Sequence, residues 1–288
     1  MRDLNYDLKN LCRRNRDGSY STQANRHQRL QQMANDLHAL GFRQLRARSL
    51  KPKHVEALLA LWRCNQLNVG TIKNRLTDLR WWAEKVDKKS VIRPTNADYG
   101  IARRQYLPQQ SKAIPLQAKI LQQLQDPYVR LAVRLQAAFG LRREEAIKLM
   151  PHLADRGQEL YLKPSWCKGG RERTLPIRNQ HQRQVLDEAH ELAGRGSLIP
   201  SHLRYVEQLR IFERATSRAG LGNTHGLRHH YAQERYAELT GWECPLNEGP
   251  NPQTFSPEQQ EVDREARKIV SQELGHERIQ ITNIYLGK

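Results

Sequence analysis

In the stretch ELGHERIQITNIYLGK, Tyr285 follows His276 by nine positions. A plain reading would make it an aromatic on a short terminal helix, pinning Ile281 and Ile284 to a core. Three other stretches hold side chains of related chemistry: GLRREE at 140–145, KGGRERTLPI at 168–177 and HGLRHHYA at 225–232. Together they carry what is needed to break a phosphodiester without water or metal. A phenol stores the bond energy as a phosphotyrosyl ester. Guanidinium groups are planar, always-charged forks for the non-bridging oxygens, where charge gathers in a pentavalent transition state. A lysine donates a proton to the departing 5′-oxygen. A histidine, with an ordinary pKa near ~6.5, moves the phenol's proton at neutral pH. His225 and Arg228, three positions apart, share one helical face.

The elements that must position these groups are set by composition first. A chain of 288 residues makes one large or two ordinary domains, with ample length for a core. The mean hydropathy of −0.82 and 38% hydrophobic content describe a soluble, polar-surfaced protein. No window approaches the ~18–20 apolar residues of a spanning helix. The first residues, MRDLNYDLKNLCRRNRDGS, lack the apolar region of a signal peptide. The four cysteines are scattered, as reduced thiols are, and offer no CxxC zinc site.

The net charge of +18 attracts a polyanion, and nucleic acid is the usual one. It is unevenly placed. Residues 1–115 hold 23 Lys and Arg against 9 Asp and Glu, a net +14, and the remainder carries only +4. The first part therefore reads as a backbone-gripping module and the second as an enzyme domain.

Periodicity predicts helices at 3–14 and 22–40, with Gly41 as a stop, then at 52–66 behind Pro52. A fourth spans 71–89 with Thr71 as N-cap. Its Ile72, Leu76, Leu79, Trp82 and Ala83 face a core, and Lys73, Arg75 and Arg80 face outward toward DNA. Residues 1–92 thus form a helical domain. Residues 93–115, poor in periodicity and bearing Pro, Gly and Gln, read as a linker. Residues 116–288 open with helices near 116–125 and 127–138. Residues 159–177 read as two short strands around a Lys168-Gly169-Gly170 turn. Helices follow near 178–194 and 202–219.

The motifs GLRREE, KGGRERTLPI, HGLRHHYA, and LGH with its following tyrosine resemble, in order, those of the tyrosine recombinases, or phage-type integrases. The helix at 71–89 is similar to the last helix of that family's core-binding domain, so the resemblance covers most of the chain. It implies a mainly α fold with a small β-sheet (α+β): an N-terminal helical SAM-like core-binding domain, then a tyrosine-recombinase catalytic domain. It makes Arg142 and Arg228 the two clamp arginines and Glu145 the carboxylate that steadies the first, with Arg143 a surface neighbour. Lys168 becomes the general acid, with Arg171 or Arg173 competing for phosphate. His225 becomes the general base, His229 a supporting group, His276 a hydrogen-bonding partner of the scissile phosphate, and Tyr285 the nucleophile.

The implied activity is site-specific DNA recombination through a 3′-phosphotyrosyl intermediate, integrating or excising a mobile element, with no metal or other cofactor. The implied partner is double-stranded DNA at specific sites. Four protomers assemble in the synaptic complex from free monomers or dimers, with a host DNA-bending protein or directionality factor as an accessory. The setting is cytoplasmic, at the bacterial nucleoid, away from membranes. Two other readings share the residues: a type IB topoisomerase-like relaxase, and a non-catalytic DNA-binding regulator. The intact set of six groups argues against the second.

Two features depart from the family pattern. Only Leu286, Gly287 and Lys288 follow Tyr285, so exchange of a post-tyrosine helix between protomers is not expected. Arg228 and His276 stand 48 positions apart, which marks 241–260 as inserted. From Glu243 to Glu265 there are six acidic residues against one basic, so this stretch should turn away from DNA. Ser256-Pro257-Glu258 predicts a helix start. The segment reads either as an idle surface loop or as an assembly contact, in which Trp242, Pro245, Leu246 and Phe255 form an apolar patch against a neighbouring protomer.

Overall fold

Four amphipathic helices fill the first part of the chain, and each buries one stripe. They are α1 (Asp3–Arg14), α2 (Tyr20–Ala39), α3 (Pro52–Cys64) and α4 (Val69–Lys85). The structure, a computed structural model, describes residues 2–104, 107–276 and 278–288. Leu8, Leu30, Met33, Leu37, Leu58, Trp62, Leu76, Leu79 and Trp82 interlock in one core. The Trp82 indole N–H donates to the Ala47 carbonyl at 3.0 Å, so burying it leaves no polar atom stranded. Helix α4 begins two residues earlier than the sequence suggests. Asn68, rather than Thr71, is its N-cap, and its side chain accepts from the Thr71 amide at 2.8 Å. An amide oxygen caps as well as a hydroxyl, and an Asn before Val69-Gly70 is easily passed over.

Residues 1–105 and 106–288 form two compact units. The stretch 93–115, read from sequence as a linker, divides between them. Ile92 and Tyr99 are buried in the first core, Arg63 donates to the Tyr99 carbonyl, and Arg80 donates to Asn96 at 2.9 Å. Low periodicity signalled missing helix, not missing packing. Residues 111–114 belong to the second unit, where the Ile114 amide donates to the Gly226 carbonyl at 3.0 Å. Gln105 and Tyr106 lie outside the described residues.

The second unit continues with α5 (Ala118–Gln123), α6 (Pro127–Phe139), α7 (Arg143–Lys148) and α8 (Pro151–Ala154). Strands β1 (Glu159–Leu162) and β2 (Arg173–Pro176) pair antiparallel, with Leu162 opposite Arg173. Then come α9 (Gln180–Ala193), α10 (Tyr205–Arg218), α11 (His225–Thr240), α12 (Pro257–Glu273) and α13 (Ile279–Leu286). A large core gathers α6, α7, α9 and the inner face of the sheet around Leu135, Phe139, Ile147, Leu160, Leu175 and Leu186. A smaller core joins α11, α12 and α13 through Tyr231, Tyr236, Ala266, Val270, Leu274, Tyr285 and Leu286. The last helix therefore buries Tyr285 and Leu286, while Ile281, one turn earlier, is exposed. Among the described residues no helix is long and apolar enough to cross a membrane.

The inserted segment forms two 3-10 turns, Pro245–Asn247 and Pro252–Thr254, before α12. Ser256 caps α12, accepting from the Gln259 amide at 3.3 Å. The expected patch packs partly within the chain. Phe255 is buried, and its ring stands 5.4 Å from that of Trp242. Leu246 packs against the small core, and Pro245 and Leu246 crowd Gly287. Pro245 and Leu246 thus meet the end of this chain's own last helix, while Trp242, Pro245 and Leu246 stay half-buried.

Candidate active site

Gly140 ends α6 at φ +60, and a Cβ there would meet the Tyr231 ring at 2.4 Å. This left-handed turn is open to glycine and brings the next residues sharply round to α7. Arg142 precedes α7. Its amide donates to Glu145 Oε2 and its Nη1 to Glu145 Oε1, both at 2.7 Å. The carboxylate both caps the helix and fixes the guanidinium.

Arg228 lies in the first turn of α11 and is fully buried. Its Nη1 donates to the Gly140 carbonyl and its Nη2 to the Leu274 carbonyl, with His276 Nε2 3.4 Å away. Arg142 Nη2 donates to the same Leu274 carbonyl at 3.2 Å. One peptide oxygen just past α12 thus draws together two arginines 86 positions apart in sequence. Burial pulls the Arg228 pKa down to about 10, and Arg142 adds to the fall. Its Nε is buried with no hydrogen-bond partner among the described residues.

Tyr285, 6% exposed, sits among three imidazoles. Its ring lies 4.3 Å from that of His229, 5.2 Å from His276 and 5.9 Å from His225. His225 Nε2 is 3.1 Å from the phenol oxygen. Desolvation drives His225 down to about 4, and Arg228, Arg142, Lys112 and Lys168 push the same way. Desolvation likewise takes His229 to about 4 and His276 to about 3, helped by His225 and by Arg228 respectively. All three rings are therefore neutral at pH 7. Lys168 and Arg171 are exposed on the hairpin turn, and Lys168 is close enough for its charge to weigh on His225.

Arg173, read from sequence as a competitor for phosphate, is turned inward. Its side chain is 7% exposed, and Nη1 and Nη2 grip the two Glu145 oxygens at 2.8 and 2.7 Å. Its Nε donates to the Glu273 carbonyl at 3.0 Å. Burial alone would raise the Glu145 carboxyl, but Arg173, Arg142 and Arg228 outweigh it and hold it at about 2. Strand alternation carries the missed signal, since Arg173 shares a face with the buried Leu175. In the first unit, Lys73 is half-exposed as expected of an outward residue. Arg75 instead leans on the Trp62 ring at 5.2 Å and pairs with Asp36 at 3.7 Å. Arg80 braces residues 93–96. Both side chains make contacts within their own unit.

Other residues join the site without having been singled out in the sequence. Gln233 Nε2 donates to the Tyr285 carbonyl at 2.9 Å and to Ser111 at 3.0 Å. Glu273 accepts from the Tyr231 hydroxyl at 2.7 Å and from Arg235 at 3.0 Å. On α10, Arg210, Arg214 and Arg218 line one cleft, and their four-residue spacing was readable in the sequence.

Residues 1–91 match the family model of the phage integrase N-terminal domain, and residues 109–234 match that of the integrase domain. No curated protein matches the sequence. Solved structures share the fold. A lambda integrase dimer bound to a COC′ core site is 18% identical, with TM-score 0.63, over 98% of this chain and 76% of that one. The lambda integrase tetramer bound to a Holliday junction is 19% identical, with TM-score 0.61, over 98% and 76%. The Tn1549 transposon integrase with circular intermediate DNA is 13% identical, with TM-score 0.57, over 100% and 96%. With residues 1–91 and 109–234 matched by integrase models and its fold shared, the chain belongs to the phage-type integrase family of tyrosine recombinases and is a site-specific recombinase.

Proposed function

We propose that Tyr285 attacks a scissile phosphate of duplex DNA to form a 3′-phosphotyrosyl ester, releasing a 5′-hydroxyl that can rejoin either strand. The observation that carries this is the neutral His225 imidazole 3.1 Å from the phenol oxygen. His225 takes the proton as the Tyr285 oxygen bonds to phosphorus. Arg142 and Arg228 balance the charge on the non-bridging oxygens, and His276 Nε2 stands beside them. Lys168, on the exposed hairpin turn, protonates the departing 5′-oxygen. The unpartnered Arg228 Nε is a donor left for phosphate, and the Tyr285 ring, 5.9 Å above the guanidinium, must shift to admit it.

The partner is double-stranded DNA. The basic balance of residues 1–115 and the arginines of α10 supply backbone contacts. The relatives bound to a core site and to a Holliday junction support a protomer that pairs on one site and acts as a tetramer on two. Integration or excision of a mobile element, at the bacterial nucleoid with a host DNA-bending or directionality factor, fits that reading.

The test is a nicked suicide duplex drawn from the boundaries of the element that encodes the chain. Wild-type protein is expected to form a covalent adduct at Tyr285, and Tyr285→Phe to bind DNA without forming one. Cleavage by the Phe variant would assign the nucleophile elsewhere.

A further inference from the structure

The side chains of Gln233 and Arg267 hydrogen-bond to α13 and its end, and the second bridges both sides of Tyr285. Arg267, on the buried face of α12, donates through Nη1 to Asn283 Oδ1 at 2.9 Å and to the Gly287 carbonyl at 2.8 Å. These acceptors lie two residues before and two residues after Tyr285. We propose that Arg267 is a positioning residue, the latch that holds the Tyr285 helix in register with its own domain's arginines and histidines. This rests on the reading of Tyr285 as the nucleophile.

The latch is itself braced. Arg267 Nε donates to both oxygens of Asp263 at 2.9 Å, which fixes the plane of the guanidinium. Asp263 also accepts from the Tyr236 hydroxyl, which in turn accepts from the Trp242 indole at 3.2 Å. The Arg267 guanidinium lies 5.6 Å from the centre of the Tyr236 ring. The inserted segment thereby reaches the nucleophile helix through one continuous hydrogen-bonded chain. It also reaches it directly. Gly287 has φ +87, and a Cβ there would sit 3.1 Å from both Pro245 and Leu246. Gln233 holds the Tyr285 carbonyl from the opposite side. An eight-residue helix is too short to hold its own geometry in water. Its orientation must come from these contacts, and an error of about 1 Å in a reacting group can cost on the order of 10²-fold in rate.

The test pairs single-turnover adduct formation on the nicked suicide duplex with amide hydrogen exchange of the DNA-free protein. For Arg267→Ala, adduct formation should fall on the order of 10²-fold with DNA affinity unchanged. Exchange should accelerate in residues 279–286 and stay as in wild type through α6, α9 and α11. Arg267→Lys, which can reach one acceptor but not brace the plane, should recover part of both. Asn283→Ala, which leaves the Gly287 contact in place, should show a smaller fall in the same direction. Faster exchange throughout residues 106–288 would reduce Arg267 to general support of the fold and overturn the proposal. So would a released α13 with unchanged cleavage, or no change in either measurement. A wild-type chain that forms no adduct would overturn the recombinase chemistry instead, and the exchange data would then decide the latch alone.

Discussion

Arg173 and Arg142 share one buried carboxylate, Glu145, so that a strand arginine and a loop arginine are fixed by the same two oxygens. The arrangement separates a structural from a chemical role for two residues of the same type. Arg142 keeps part of its side chain open, 23% against 7% for Arg173, and faces the Tyr285 pocket through the shared Leu274 carbonyl.

Arg142→Ala should therefore leave a folded, DNA-binding protein whose adduct formation falls by roughly 10²–10³-fold, the usual cost of one lost transition-state donor. Unchanged single-turnover cleavage with weaker binding would make Arg142 an ordinary phosphate contact.

Arg173→Ala should act on stability instead. It leaves Glu145 buried and short of its bidentate partner, which typically costs ~3–5 kcal/mol. Urea unfolding checks this, and the double variant Arg173→Met with Glu145→Met should be more stable than Arg173→Ala alone. An Arg173→Ala protein as stable as wild type would show that Arg142 alone satisfies the carboxylate.

The imidazoles give stability a defined pH dependence. In the folded chain His225 and His229 lie at about 4 and His276 at about 3, against ~6.5 unfolded. Folded protein refuses protons that unfolded protein accepts, so these sites lose no stability above pH ~6.5 and destabilise progressively as pH falls toward ~4. Below the ordinary glutamate range Glu145 adds to the loss, because its depressed carboxyl must then be protonated. The urea midpoint of DNA-free protein should drop between pH 7 and 4.5, and His229→Gln should flatten that drop. Ring NMR signals titrating near 6.5 would contradict it.

Salt dependence probes the first unit. Part of its positive charge is internally paired, as in Arg46 with Asp7 and Arg29 with Asp78. The fragment 1–104 should still lose affinity linearly in log salt, with a slope of about −0.9 for each phosphate contact. That slope should stay well short of what its full basic count would give. Fluorescence anisotropy on a fixed duplex measures it, and a flat line would mean that the remaining charges are only solvated.

Local order was written in the sequence. Apolar spacing drew the helices, Pro52 and Ser256-Pro257 opened two of them where expected, and Gly169-Gly170 marked the hairpin turn. The motif residues Arg142, His225, Arg228, His276 and Tyr285 were legible too, because their types and order along the chain resemble a known family. The sequence did not determine which charges face inward. Arg171 and Arg173 look alike in GGRERT, yet one is exposed and the other is sealed on Glu145. The difference depends on Glu145, 28 positions away, being turned toward the same point. The inserted segment is similar. Its apolar residues announced a packing partner, but only the packed chain set Leu246 against Gly287 at the end of α13 and Trp242 against Phe255. Periodicity is a property of neighbours along the helix or strand. Which buried guanidinium meets which carboxylate, and which surface receives Trp242, Leu246 and Phe255, is decided by contacts distant in sequence, where desolvation penalises every unpaired charge and leaves few arrangements that satisfy them all.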